Sequence, residues 1–171
     1  MPPPDQARSD AAATRPPPAN ATQQARRDWL AVLAQAPRAS LARLAPAAVA
    51  GHAFAWLRRP EIGLVMLRGR IGNSGDRFNL GEASVTRCAL RCEHGGAVTV
   101  GLGHVLGRDE QRAEWIAALD ALLQQPALHG ALMASTVEPL RADLAAARAA
   151  EQARLAPSRV RFHELQAEVA R

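Results

Sequence analysis

Arg77, Arg87 and Arg108 stand beside the two glycine-rich turns of this 171-residue chain. A guanidinium is a planar fork of donors that suits carboxylates and phosphates. The first turn lies in "RIGNSGDRFNLGEASVTRC", residues 70–88, where Gly72 and Gly75 flank Asn73 and Ser74, residue types that accept positive φ and close backbone approach. It lacks Gly-Lys-Ser/Thr and runs into a strand pattern, whereas a P-loop delivers its phosphate to a helix N-terminus. A Walker site is excluded. The second turn, "GLGHVLGRD", joins a strand to a helix through Gly101, Gly103 and Gly107. Its glycine spacing is one residue too long for the dinucleotide fingerprint, and Asp109 puts a carboxylate where a pyrophosphate would sit.

Other chemistry finds little support. Ser74 sits in no Gly-x-Ser-x-Gly elbow, and spacing suggests no cysteine–histidine pair. His52, His94, His104, His129 and His163 are scattered without a metal-ligand motif. Cys88 and Cys92 are four residues apart; on a strand they share one face about 13 Å apart, too far for a disulfide or a shared metal. They read as buried thiols in a reducing compartment. Asp76, Glu82 and Asp109 offer carboxylates for acid–base work, yet loop and cap positions explain all three. No residue is assigned a catalytic role, and no metal site is expected.

All 21 basic residues are arginine, which removes Schiff-base chemistry and any P-loop lysine. The net charge of +5 is concentrated between residues 29 and 108, and the tail is mildly acidic. With no tyrosine and three phenylalanines, single-stranded nucleic acid would find few stacking platforms, so nucleic acid is not the expected partner. No apolar run reaches membrane-spanning length, and the expected location is cytoplasmic.

These residues need a frame. Two proline triplets within residues 1–20 predict a disordered arm, and residues 21–171 a single domain. "TQQARRDWLAVLAQA" predicts a helix with an apolar stripe of Trp29, Leu30 and Leu33, stopped by Pro37, and "ASLARLAPAAVAG" one or two further helical turns. Then "AFAWLRR", "GLVMLRGRI", "EASVTRCALRCE" and "AVTVGLGHVL" alternate as strands, the first two separated at Pro60-Glu61. Thr86, Cys88, Leu90 and Cys92 share one face of the third; Arg87, Arg91 and Glu93 share the other. His104 falls on the side of Val98, Val100 and Leu102, which predicts a satisfied, semi-buried histidine. Asp109 opens the helix "DEQRAEWIAALDALLQQ", and "STVEPLRADLAAARAAEQARL" gives a long alanine-rich helix that wants a neighbour. Beyond Pro157, Val160 and Phe162 fit a sheet edge or a partner. The expected class is α+β, an antiparallel sheet of about four strands flanked by N-terminal and C-terminal helices.

Three blocks resemble the PhnG family of the bacterial phosphonate C-P lyase system: "GNSGDRFNLGEASVTR", "GRDEQRAEWIAALDAL", and "SRV" followed by Phe162. Trp29 in "RRDWLAVLAQA" matches the family's opening helix. Phe78, Gly81, Thr86, Arg87, Arg108, Asp109, Ala113, Glu114 and Asp120 carry the likeness, which spans residues 24–165. Arg161 departs from it, standing where relatives tend to carry an acid. The resemblance implies a part in converting ATP and an alkylphosphonate into ribose 1-alkylphosphonate 5-triphosphate with release of adenine. It also implies partners: a nucleosidase-like subunit, a second small core subunit, a radical iron-sulfur lyase subunit and an ABC-type ATPase. ATP would be a substrate of that complex, with no cofactor bound by this chain alone. The expectation is an accessory or scaffold subunit that presents Arg87, with Arg77 and Arg108 as further anion or partner contacts. The alternatives are a catalytic subunit acting directly on ATP and phosphonate, in which Arg77, Arg87 and Arg108 converge with a carboxylate, and a free nucleotide or nucleic-acid binder.

Overall fold

Antiparallel pairing of three long strands organises the chain, whose computed structural model describes residues 21–71 and 75–158. The proline-rich arm, the turn over 72–74 and the segment from 159 onward, with Arg161, Phe162 and His163, lie outside the described residues. Two helices, α1 (Ala21–Gln35) and α2 (Arg38–Val49), precede β1 (Phe54–Arg70), β2 (Arg77–His94) and β3 (Ala97–Leu106). There follow α3 (Glu110–Leu123), α4 (Pro126–Leu132), a π-helical turn over Met133–Val137 and the long α5 (Glu138–Leu155). The sheet order is β1-β2-β3. The α+β class is borne out.

The first two expected strands are one. Pro60 does not break β1, because β1 is an edge strand paired only with β2, and an edge proline need not supply a ladder N–H. The irregularity survives as register shifts between Trp56 and Arg58 and between Arg58 and Glu61. Each extra residue bends the strand and increases its twist.

Helices cover one face of the sheet. Thr86, Cys88, Leu90 and Cys92 of β2 are buried there, as their alternation predicts, while Arg87, Arg91 and Glu93 are exposed on the other face. The orientation of β3 differs from expectation: His104 is exposed, together with Val98, Val100, Leu102 and Leu106. The reason lies in its glycines. A Cβ built at Gly101 would run into the carbonyl oxygen of Ala117, and one at Gly103 into that of Ala113. The smallest residues of β3, rather than its most apolar ones, face α3, whose Ala113, Ala117 and Ala121 form a matching flat stripe. Ile116, Leu119, Leu122 and Leu123 of α3 join Trp29, Leu33, Leu41, Val137 and Leu140 in the core.

The two edges of the sheet are treated differently. Side chains cover the outer edge of β3: the Leu102 N–H donates to Asp120 Oδ2 (2.9 Å), while Arg26 Nη2 (3.0 Å) and Gln124 Nε2 (2.8 Å) donate to the Val100 carbonyl. Such contacts block strand addition. The β1 edge has no equivalent cover among the described residues. In α5, all residues from Ala145 to Leu155 are exposed, consistent with a helix that wants a neighbour. No helix among the described residues is long and apolar enough to cross a membrane.

Candidate functional site

The pairing of β3 with β2 ends at Leu106 and Val85, but β1 and β2 continue to Arg70 and Arg77. A two-stranded ribbon therefore extends past the three-stranded sheet. Leu64 (63% exposed) and Met66 (50%) lie on one of its faces, with Val65 and Leu67 (43%) on the other. Phe78 pairs with Gly69 and is also exposed. An isolated two-stranded ribbon is marginally stable in water, and this one presents apolar side chains on both sides.

Arg77 is at the ribbon's tip, directly opposite Arg70. Arg87 lies ten residues away along β2, about 33 Å at strand rise. On the outer sheet face its Nε donates to Glu61 Oε1 (2.7 Å), and Arg58 Nη1 donates to the same oxygen (3.0 Å). The Arg87 hydrogen bond is the chief reason that Glu61 is held below the usual carboxylate range. A cleft of about 260 Å³ opens beside this pair, lined by Arg58, Arg87, Ala89, Leu102 and His104. Arg91 is 3.9 Å from Glu93. Arg108 is exposed in the turn between β3 and α3. The structure thus keeps Arg77 apart from Arg87 and gathers no single pocket around all three arginines.

The turn that carries Arg108 is clasped by Thr86. Its buried hydroxyl donates to the Gly107 carbonyl (2.7 Å) and accepts from the Asp109 N–H (3.0 Å). Asp109 caps α3 by accepting from the Arg112 N–H (3.1 Å), and it pairs with Arg38 at 2.8 Å. The cap inferred from sequence is present, and the glycines of this turn serve helix packing and chain reversal. Gly107 has φ +96°, a left-handed conformation that a side chain would strain.

Sequence reasoning assigned no role to Asp120, which is fully buried and accepts four hydrogen bonds. They come from Arg26 Nε (3.1 Å) and Nη2 (2.7 Å), Trp29 Nε1 (2.9 Å) and the Leu102 N–H. The available signal was a lone carboxylate inside "WIAALDALL", where an unpartnered charge would be intolerable. This cluster ties α1, α3 and β3 together. It leaves the apolar groove of about 610 Å³ beside Trp29, Leu123 and His129 with an arginine already committed to a carboxylate.

Among the described residues, no group of three histidines, cysteines or carboxylates could hold a metal ion. His52 and His94 meet edge to face, with ring centroids 5.6 Å apart. Cys88 and Cys92 are free and buried. Burial, followed by the nearby Glu114 charge, pushes the Cys88 thiol up to about 11 from an ordinary 9.0, and burial also raises Cys92. At pH 8 the Cys88 thiolate is then about 100-fold scarcer than that of an ordinary cysteine. Iodoacetamide should label neither thiol of the native chain within minutes, yet both after denaturation. Rapid native labelling counted by mass spectrometry would refute this.

The family model described as "Phosphonate metabolism protein PhnG" matches residues 24–166, which takes in all three strands and α3. Over 131 residues the chain is 43% identical to the alpha-D-ribose 1-methylphosphonate 5-triphosphate synthase subunit PhnG of Rhizobium meliloti (strain 1021), spanning 77% of this chain and 79% of that protein.

Proposed function

This chain belongs to the PhnG family of phosphonate metabolism proteins, and from that premise we propose that it is an accessory, docking subunit of a ribose 1-methylphosphonate 5-triphosphate synthase. In the reaction, a phosphonate oxygen forms a bond to the ribose C1 of ATP as the bond to adenine breaks. Adenine leaves with the electron pair and a proton, and the triphosphate stays on the ribose. The proposed partners are a nucleosidase-like subunit that carries this glycosyl chemistry, a second small core subunit and an ABC-type ATPase. A radical iron-sulfur lyase subunit later cleaves the carbon–phosphorus bond. ATP is a substrate of the complex, and this chain brings no cofactor of its own. A cytoplasmic location is part of the proposal, in keeping with an ATP-consuming reaction.

The observation that carries this reading is the ribbon with apolar side chains on both faces. Flat contact covers only one face of a ribbon, so burial of both requires a cleft in another chain. Separation of Arg77 from Arg87 favours docking over a self-contained active site. Arg87, already oriented by Glu61, and Arg108 are proposed to meet partner carboxylates or the bound substrate. The test is a variant of the ribbon, Leu64→Ser with Met66→Ser. Because both side chains are already exposed, the melting temperature should hold while co-purification with the nucleosidase-like subunit falls at least about tenfold. Undiminished co-purification would count against the ribbon as the docking element.

A further inference from the structure

The ribbon's tip carries three arginines on one face. The register sets Arg70 opposite Arg77 and Arg68 opposite Asn79, and Arg68 and Arg70 are two residues apart on the same strand. Side chains across such a pair start about 5 Å apart, and those two positions apart along a strand about 7 Å. All three are exposed, and none pairs with a carboxylate among the described residues. Like charges directly opposite each other destabilise a strand pair. Two exposed acids lie nearby, Asp76 beside Arg77 in sequence and Glu82 opposite Met66, one step from Arg68 on the same face. Neither forms an ion pair with the three arginines. Several arginines elsewhere have a carboxylate partner, Arg26 in Asp120, Arg38 in Asp109, Arg43 in Asp143 and Arg87 in Glu61. Arg27, Arg59 and Arg108 pair with none among the described residues, but only at the tip do three such arginines share one face within reach of one another.

We propose that Arg68, Arg70 and Arg77 form a binding site for a compact oligophosphate, which the ribbon delivers into the partner's cleft. The inference deepens the docking reading by naming the ligand class of the docked tip. Three forks within about 7 Å match the spacing of a short phosphate chain and offset its charge. A nucleic-acid backbone presents the same phosphates but would need a longer basic track and stacking surfaces. The tip instead gives way to Met66 and Leu64 on the same face. Partner carboxylates could also pair with single arginines, but they would not confer preference for triphosphate over phosphate.

Calorimetric titration of the full-length chain with inorganic triphosphate, inorganic phosphate and a 20-nucleotide single-stranded DNA tests this. Triphosphate should bind at least about tenfold more tightly than phosphate and more tightly than the DNA at 150 mM salt. The double variant Arg70→Gln, Arg77→Gln should weaken triphosphate at least about tenfold. A control with the same charge loss elsewhere, Arg59→Gln with Arg141→Gln, should change it less than about twofold. These positions are exposed, and unchanged thermal melts will show that the variants remain folded. No triphosphate binding at millimolar concentration overturns the site, as do equal losses in both variants or tighter binding to DNA. The titration needs no partner, so failure of the complex to assemble overturns the docking reading and leaves this result standing on its own.

Discussion

Asp120→Ala should lower the stability of the chain by about 3–5 kcal/mol, the range for removing one member of a buried charge pair. The fully buried carboxylate holds a partly buried Arg26, the Trp29 indole N–H and the edge-strand N–H of Leu102. Truncation leaves the Trp29 and Leu102 donors without their buried acceptor and the Arg26 guanidinium, partly exposed at the groove, without its counter-charge. Asp120→Asn preserves the shape but removes the charge and turns an amide group toward donors, so it should remain clearly destabilising. Because α1, α3 and β3 meet here, the loss should appear in urea denaturation as a lower midpoint with an unchanged slope. A loss below about 1 kcal/mol would show that the cluster is peripheral to folding.

The second large effect should come from Gly103→Ala. Its new Cβ would strike the Ala113 carbonyl and crowd Cys88 Sγ, and the equivalent atom at Gly101 would meet the carbonyl of Ala117 and the amide of Ala121. These obstacles are mostly main chain, so no rotamer change can relieve them; β3 must lift from α3. Overpacking of a close-packed interior costs about 1–3 kcal/mol, and Gly101→Ala combined with Gly103→Ala should exceed the upper end of that range. Adding Ala113→Gly should give no rescue, because it removes a side chain while leaving the carbonyl in place. Rescue, measured by thermal or urea melts, would mean that the contact is side-chain packing after all.

These two positions also show why parts of the structure were hidden in the sequence. Alternation assigned the faces of β2 correctly because its buried side, from Thr86 to Cys92, is continuous and its other side carries Arg87, Arg91 and Glu93. Asp109 was legible as a cap because helix starts are local. In β3 the same rule failed: Val98, Val100 and Leu102 marked the more apolar side, but α3 required the flatter side with Gly101 and Gly103. Pro60 suggested a break because its edge position depends on the order of strands, which is a tertiary fact. Asp120 was visible only as an anomaly, since Arg26 lies 94 residues away in sequence. The candidate site was legible as individual arginines. Placing Arg68, Arg70 and Arg77 together needed the register at the tip, which shifts between Leu67 and Arg68.

The role in the synthase is open to a single assay: adenine release from ATP and methylphosphonate, measured for the purified chain and for its co-purified complex with and without this subunit. The docking reading predicts stable co-purification, no release by the chain alone, and release by the complex that falls to background when the chain is omitted. Adenine release by the isolated chain, or full activity of the partners without it, would contradict that reading.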